Sequence, residues 1–292
     1  MYLFNYLQNT PVAFYISMSV FGLIVGSFLN VVIYRLPKML ERDWQQQCRS
    51  LLNLDIPVSE LSETLSLVTP RSRCPQCGHK ITAMENIPLL SYVVLGGKCS
   101  ACHKSIAIRY PVIELTSSIL AIFSAWHFGF GYPALLAVLL SWSLLTLSII
   151  DIDHQLLPDD ITLPFLWLGL LVNLYGTFTD VNSSLLGAMA GYCILWTVYK
   201  VFKLLTGKEG MGYGDFKLLA MLGAWLGWQM LPLIILSSSI TGAIIGIGLI
   251  VFKLHDRSKP IPFGPYLALG GWIALIWGHE INRVYLLWSI GH

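Results

Sequence analysis

Charged side chains are scarce in this chain of 292 residues: they make up 12% of it, against roughly 25% in ordinary soluble domains. Hydrophobic residues make up 55%, and the mean hydropathy is +0.66. So few polar residues cannot cover a water-soluble globule, which excludes an ordinary soluble protein and favours one whose solvent is mainly lipid. The net charge of +2 is too small to predict a nucleic-acid partner.

Several signals are missing altogether. The N-terminal stretch lacks a basic region before its first apolar run, and no small-residue cleavage site precedes Arg35. We therefore expect this run to be a retained membrane span and not a removable signal peptide. The chain also has no internal repeat and no low-complexity tract.

Long apolar runs are present in number. A helix needs about 20 mainly apolar residues to cross a bilayer, and hydropathy predicts about eight such spans. They lie at roughly 12–34, 110–128, 133–150, 160–178, 184–205, 216–230, 232–252 and 264–288. One long polar segment, about 35–109, interrupts the series.

The basic residues predict the orientation of these spans. With the N-terminus outside, the inner segments are 35–109, 151–159, 200–217 and 253–263, and they contain 17 of the 18 Lys and Arg residues. Only Arg283 falls outside. Because Lys and Arg concentrate on the cytoplasmic side, this distribution supports both the orientation and the count of eight.

Four of the six cysteines form two C-x-x-C pairs. Cys74, Cys77, Cys99 and Cys102 make a C-x2-C-x21-C-x2-C array. Two such turns can complete a tetrahedral site of four thiolates, which suits structural zinc. The predicted cytosolic location argues against disulfides. Unliganded thiols or a redox pair are the alternatives, but no thioredoxin-like pattern lies nearby.

These features predict an all-α polytopic membrane protein with a small cytosolic zinc-binding domain between the first and second transmembrane helices. The predicted division is a first transmembrane helix at 1–34, the cytosolic domain at 35–109 and a membrane core of about seven helices at 110–292.

Carboxylates at the edge of apolar spans are costly and are therefore candidate functional groups. Asp151 follows the third span and Asp215 precedes the sixth, so the predicted topology places both at the inner membrane edge. Two carboxyl groups held close together cannot both ionise, so one keeps a proton while the other acts as a base. Such a pair can activate water for hydrolysis.

Other interpretations of these acids remain open. Asp153, Asp159 and Asp160 compete with Asp151 as the first member of the pair. The acids also suit helix capping, or pairing with Lys217 and His154 at the interface. Near Asp215, the glycines Gly210, Gly212 and Gly214 would allow an extended substrate backbone to lie against the chain.

The motifs together resemble those of the type IV prepilin peptidases, also called leader peptidase/N-methyltransferases. The resemblance covers nearly the whole chain and is carried by several motifs in order: Gly26–Pro37 (GSFLNVVIYRLP), the two C-x-x-C pairs, Arg109–Glu114 (RYPVIE), Asp151–Asp159 (DIDHQLLPD), Gly212–Lys217 (GYGDFK) and Pro262–Pro265 (PFGP).

The resemblance implies an aspartic endopeptidase that is also a protein N-terminal methyltransferase. It implies that Asp151 and Asp215 are the catalytic pair. Beside that pair, Gly212, Gly214, Lys217 and Glu114 are our own candidates for supporting roles: Lys217 would hold Asp215 or bind a substrate acid, and Glu114 would orient the catalytic region or pair with Arg109 or Lys217. The enzyme would cleave prepilins and pseudopilins of type IV pilus or type II secretion systems after a glycine. It would then methylate the new N-terminal residue, usually Phe, with S-adenosylmethionine, in the bacterial cell inner membrane with its active site facing the cytosol.

The methyl-donor site is the least defined part. No strand followed by G-x-G-x-x-G is present, which excludes an ordinary soluble methyltransferase fold. Gly96 and Gly97, between the cysteine pairs, are our candidates for contact with S-adenosylmethionine, with an ordinary turn as the alternative. Two other functions are considered: an ion-coupled transporter, for which no paired repeat with broken helices is evident, and a zinc-bearing membrane scaffold.

Overall fold

The computed structural model describes residues 2–52, 65–82, 84–252 and 261–290. The regular structure in these ranges is helical, and β structure there is limited to two isolated bridges within the cysteine segment. The α-helices are α1 (Tyr2–Asn9), α2 (Pro11–Leu51), α3 (Leu90–Val94), α4 (Arg109–Phe128), α5 (Tyr132–His154), α6 (Asp159–Asn173), α7 (Val181–Thr206), α8 (Tyr213–Leu226), α9 (Leu231–Val251) and α10 (Gly264–Ile290), with a 3₁₀ turn at Trp228–Met230.

Each predicted span falls on one of these helices, and five helices are long and apolar enough to cross a membrane: α2, α4, α5, α7, and α9 with its preceding 3₁₀ turn. Helices α6 and α8 have only 15 and 14 residues. They are therefore about 20 Å long, shorter than a hydrocarbon core of about 30 Å. Helix α10 has the length but not the hydropathy, because it carries several Trp and Gly residues and the pair His279–Glu280. The mostly helical membrane fold is confirmed for the described residues, and the count of eight spans stays a prediction.

The residues form two compact units, Met1–Phe130 and Gly131–His292. In the first unit, α2 packs closely on α4 through small residues. A Cβ added at Gly22 would lie 2.6 Å from the Ser118 Cα, and one at Gly26 would lie 2.7 Å from the Glu114 Cα. Across this contact the Asn30 side chain donates to the Tyr110 carbonyl at 3.1 Å. Gly22 and Gly26 thus allow α2 and α4 to pack closely.

In the second unit, α8 lies at the centre and is almost wholly buried. It meets α7 backbone to backbone: a Cβ at Gly223 would lie 2.1 Å from the Gly187 carbonyl oxygen, and one at Gly191 would lie 2.6 Å from the Leu219 carbonyl oxygen. On its other side, the Asn173 amide of α6 donates to the carbonyls of Ala224 and Trp225. A short helix is stable here because neighbouring helices cover its sides and satisfy its terminal carbonyls.

Candidate functional site

Asp151 lies in the last turn of α5 and is only 5% exposed. Its Oδ2 accepts a hydrogen bond of 3.0 Å from the backbone N–H of Gly264, the first residue of α10. The C-terminal end of α5 therefore meets the N-terminal end of α10 at this carboxyl group. A backbone donor is fixed by its helix, so it holds the side chain in a defined direction.

Asp215 lies in the first turn of α8 and is 7% exposed. It is close enough to Asp151 for the two charges to interact. The two acids thus come from different helices, both are buried, and they form one site. The structure brings together the two carboxyl groups that the sequence singles out, while their catalytic roles stay a prediction.

Leu157, in the connection between α5 and α6, fills the space beside this pair and is itself buried. A Cβ at Gly214 would lie 2.8 Å from the Leu157 Cβ, and one at Gly264 would lie 3.2 Å from the Leu157 Cδ2. Leu157 therefore packs between the residue next to Asp215 and the residue that binds Asp151. Neither Leu157 nor Gly264 stands out in the sequence as a site residue by chemistry, although the Pro262–Pro265 motif marks the second.

The competing acids lie in other environments. Asp159 is half-exposed and forms an ion pair with Lys217, whose Nζ is 2.7 and 2.6 Å from the two carboxylate oxygens. Lys217 thus binds Asp159 and joins the start of α6 to α8. Asp153 and Asp160 are exposed. Burial and closeness to Asp215 therefore favour Asp151 among the four.

The loop before α8 is anchored on α7. Glu209 accepts hydrogen bonds from Lys203 Nζ at 2.6 Å and from the Tyr199 hydroxyl at 3.3 Å. A Cβ at Gly210 would lie 2.7 Å from the Phe202 ring. At Gly212, by contrast, the nearest atom is the Asp215 Oδ2 at 3.9 Å. Of the three glycines, Gly212 leaves open space directly beside a site carboxyl group.

The four cysteines predicted to bind metal lie together in the first unit, with all four Sγ atoms within 4.8 Å of one another. Cys74 and Cys102 are 3.9 Å apart, and Cys77 and Cys99 are 4.0 Å apart. Four thiolates about 2.3 Å from a tetrahedral zinc ion would be separated by about 3.8 Å, so the geometry fits zinc. Each turn is closed by a bridge, Arg73 to Lys80 in one and Lys98 to Ser105 in the other.

The thiols differ in acidity. The backbone of Cys77, followed by that of Gln76, lowers the pKa of Cys74 to about 6. The His79 backbone lowers the pKa of Cys77, but partial desolvation and the other three thiols outweigh it and raise that pKa to about 12. One thiolate thus forms easily and opposes ionisation of its neighbours. A bound divalent cation would remove this opposition, since metal binding displaces thiol protons.

The Glu85 carboxylate, which is not part of the cysteine cluster, contacts residues in both cysteine turns. Glu85 accepts hydrogen bonds from the Ser100 hydroxyl in the second turn and, at 2.8 Å, from the N–H and hydroxyl of Thr82. It also lies 3.3 Å from His79 Nε2 in the first turn. The Ser100 hydroxyl is the largest of the influences that lower the pKa of Glu85 to about 2. This network joins residues adjacent to both cysteine pairs.

The other predicted residues of the first unit have defined surroundings. Gly96 and Gly97 both have positive φ, of 59° and 69°, which explains glycine at these positions through an ordinary turn. A Cβ at Gly97 would touch the Tyr92 ring, whereas no atom in the described part of the chain lies within 4 Å of one at Gly96. Glu114 is buried on α4, where it accepts a hydrogen bond of 2.9 Å from the Leu89 backbone and another from Ser27.

Comparison with known proteins places the chain among characterised families. Residues 20–128 match the model of the bacterial peptidase A24 N-terminal domain, and residues 138–247 match that of the type IV leader peptidase family. A prepilin leader peptidase/N-methyltransferase of Pseudomonas aeruginosa is 55% identical over 284 residues, covering 97% of each chain. The chain belongs to the type IV leader peptidase family.

Other relatives in this family carry the same printed name. One from Aeromonas salmonicida is 55% identical over 279 residues, covering 96% of each chain. One from Legionella pneumophila is 45% identical over 280 residues, covering 95% of this chain and 96% of that one. No solved structure matches the chain. The matches extend over both units, so the cysteine cluster and the aspartate pair both lie within the matched length.

Proposed function

We propose that this chain removes the leader peptide from type IV prepilins and pseudopilins and then methylates the new N-terminal residue. The name of its relatives, prepilin leader peptidase/N-methyltransferase, supports both activities. The observation that carries the proposal is the pair Asp151 and Asp215, two buried carboxyl groups from separate helices that interact. Similarity to leader peptidases over 97% of the chain favours this function over a transporter or a scaffold.

Cleavage follows from the chemistry of two neighbouring carboxyl groups. One is ionised and takes a proton from a water molecule, while the other keeps its proton and donates a hydrogen bond to the scissile carbonyl. The water oxygen attacks the carbonyl carbon, and the protonated acid then supplies a proton to the departing amine. Burial strengthens these interactions, since few water dipoles compete for the carboxyl groups.

The open side of Gly212 gives the substrate backbone a place to lie. There the nearest atom to an added Cβ is the Asp215 Oδ2, whereas Leu157 and Phe202 occupy the space beside Gly214 and Gly210. We therefore assign Gly212, among the three glycines, to close approach of an extended substrate next to the pair. Cleavage would follow a glycine of the leader.

The substrate class agrees with a site at the inner edge of the bacterial inner membrane. A basic leader stays in the cytosol, while the apolar helix that follows it sits in the bilayer. The scissile bond then lies at the inner interface, which is the depth that the positive-inside distribution predicts for Asp151 and Asp215.

Two bound groups complete the proposal. Cys74, Cys77, Cys99 and Cys102 would hold a structural zinc ion, whose four sulfur ligands leave no open position for catalysis. S-adenosylmethionine supplies the methyl group when bound. The turn at Gly96 and Gly97, which is open on its Gly96 side, is our candidate contact for it.

Mass spectrometry of a prepilin's mature N-terminus, after incubation with purified enzyme, tests cleavage and methylation together. We expect Asp151→Asn and Asp215→Asn each to lower the cleavage rate by about 100-fold or more, the scale of general acid–base catalysis. Both variants should still methylate a substrate that is supplied already cleaved.

The matched control is Asp160→Asn, which removes an exposed carboxylate from the same stretch of chain. We expect it to cleave at the wild-type rate. Full leader processing by either variant of the pair would exclude that residue from catalysis.

A further inference from the structure

The Pro262–Pro265 motif has no chemical group of its own that the cleavage reaction uses. Its place in the structure is nevertheless specific. Gly264 begins α10, is buried, and points its backbone N–H at the Asp151 Oδ2, 3.0 Å away. Residues 113 positions apart in the chain thus meet at a carboxyl group that the proposed function requires.

Backbone conformation does not explain glycine at this position. Gly264 is not among the glycines with positive φ, and it lies in the first turn of a helix. Alanine is more favourable than glycine in a helix. Glycine here must therefore meet another need, and the neighbouring atoms show which.

Space is that need. A Cβ on residue 264 would lie 2.6 Å from the Asp151 Oδ2 and 3.2 Å from the Asp151 Cγ, closer than non-bonded atoms approach. The colliding atom is the far end of a flexible side chain, so the carboxyl group can turn away while the helices keep their places. An added methyl group would then displace the carboxyl group more than it disturbs the fold.

Leu157 limits the directions in which the carboxyl group and the turn can move. Its Cδ2 would lie 3.2 Å from the same added Cβ, and its Cβ would lie 2.8 Å from a Cβ at Gly214, the residue before Asp215. Leu157 thus packs against both the turn at Gly264 and the segment that carries the second acid. A change in the direction of Asp151 would alter its geometry toward Asp215.

We propose that Gly264 is a positioning residue for cleavage: its N–H orients the Asp151 carboxyl group, and its lack of a side chain leaves the space that this group occupies. The inference depends on the proposed role of Asp151. It assigns to the Pro262–Pro265 motif a task in the alignment of the pair.

The test compares Gly264→Ala with Gly248→Ala in the purified full-length enzyme. Gly248 lies in α9, and no atom of the described residues lies within 4 Å of a Cβ added there. We expect Gly264→Ala to lower kcat for prepilin cleavage by about 100-fold, the cost of a displacement of about 1 Å in an active site. Its KM should stay within about threefold, because the substrate contacts are unchanged.

A general folding defect would lower methylation of an already cleaved substrate as well as prepilin cleavage. Methylation is therefore the second readout. We expect Gly264→Ala and Gly248→Ala to retain it. A second variant, Gly264→Pro, adds side-chain atoms at the same position and also removes the N–H donor, and proline is well tolerated in the first turn of a helix. It should likewise lose cleavage and keep methylation.

Asp151→Asn, measured in parallel, separates this inference from the proposed function. An active Asp151→Asn enzyme overturns the proposed function and this inference with it. An inactive Asp151→Asn beside a Gly264→Ala that cleaves like Gly248→Ala overturns the inference alone. Equal loss of cleavage and methylation in both Gly264 variants also overturns it, since the position would then support the fold as a whole.

Discussion

The aspartate pair and the cysteine cluster are held together by different means. In the cluster, the thiols of Cys74 and Cys102 are 28 residues apart in the chain and lie on two tight turns, each closed by a bridge. Around the pair, the contact of Asp151 with Gly264 spans 113 residues and depends on three helices packed in one arrangement. Metal–sulfur bonds can therefore stabilise the first site, whereas helix packing and polar contacts between helices stabilise the second.

Removal of the metal should have the largest effect, and this effect should separate the cysteine cluster from the aspartate pair. Structural zinc sites have apparent binding free energies of about 10–16 kcal/mol in small peptides, and a segment with so small a core depends on that energy to fold. With a strong chelator, or in Cys99→Ser, we expect trypsin to cut at Lys80, Lys98 and Lys104 while α5 to α8 stay protected. Peptide mass spectrometry after limited digestion measures both.

Cys193→Ser is the control for that experiment, because Cys193 is exposed and lies outside the cluster. It should keep its metal and its wild-type digestion pattern. Resistance of the cysteine segment to trypsin after complete metal removal would show that the segment folds without zinc.

An added methyl group between α7 and α8 should destabilise the region around the aspartate pair. In Gly223→Ala, the new Cβ would lie 2.1 Å from the Gly187 carbonyl oxygen, an atom of the backbone that cannot turn aside. Overpacking of this kind costs about 1–3 kcal/mol, occasionally more. We expect a lower thermal unfolding temperature and reduced cleavage, with the zinc content unchanged.

Zinc content, measured by atomic absorption on the same preparation, distinguishes a local defect from a global one. Gly248→Ala again serves as the control, since its added Cβ meets no neighbour within the described ranges. Unchanged stability of Gly223→Ala would mean that the close contact of α7 with α8 is not required.

The smallest effect is expected at the ion pair between Asp159 and Lys217. Both side chains are partly exposed, at 50% and 30%, and exposed pairs contribute about 0.2–1 kcal/mol. Asp159→Asn should therefore lower kcat/KM for cleavage by less than about fivefold. A loss as large as that of Asp151→Asn would instead identify Asp159 as a member of the catalytic pair.

The sequence predicts much of this arrangement because its strongest signals are local. Apolar runs of sufficient length locate the helices, and C-x-x-C spacing locates the metal turns without any reference to the rest of the fold. Gly22 and Gly26 signal a close helix contact, which α4 supplies. The short helices α6 and α8 are harder to assign as spans, because a helix enclosed by other helices need not match the bilayer in length.

Local signals in the sequence do not identify which acid pairs with Asp215. Asp151, Asp153, Asp159 and Asp160 lie within ten residues and have the same chemistry, so spacing does not separate them. The structure separates them. Asp151 is buried beside Asp215, Asp159 forms an ion pair with Lys217, and Asp153 and Asp160 are exposed.

By itself, the sequence determined a mostly helical membrane protein, a four-cysteine array with the spacing of a metal site, and two acidic motifs at the ends of apolar segments. Only the tertiary structure decided that Leu157 fills the space beside the pair and that the Gly264 N–H faces Asp151. The physical reason is that composition and spacing report on the solvent and on neighbours within a few residues. Which atoms meet across the packed helices depends on contacts between segments that lie tens to more than a hundred residues apart.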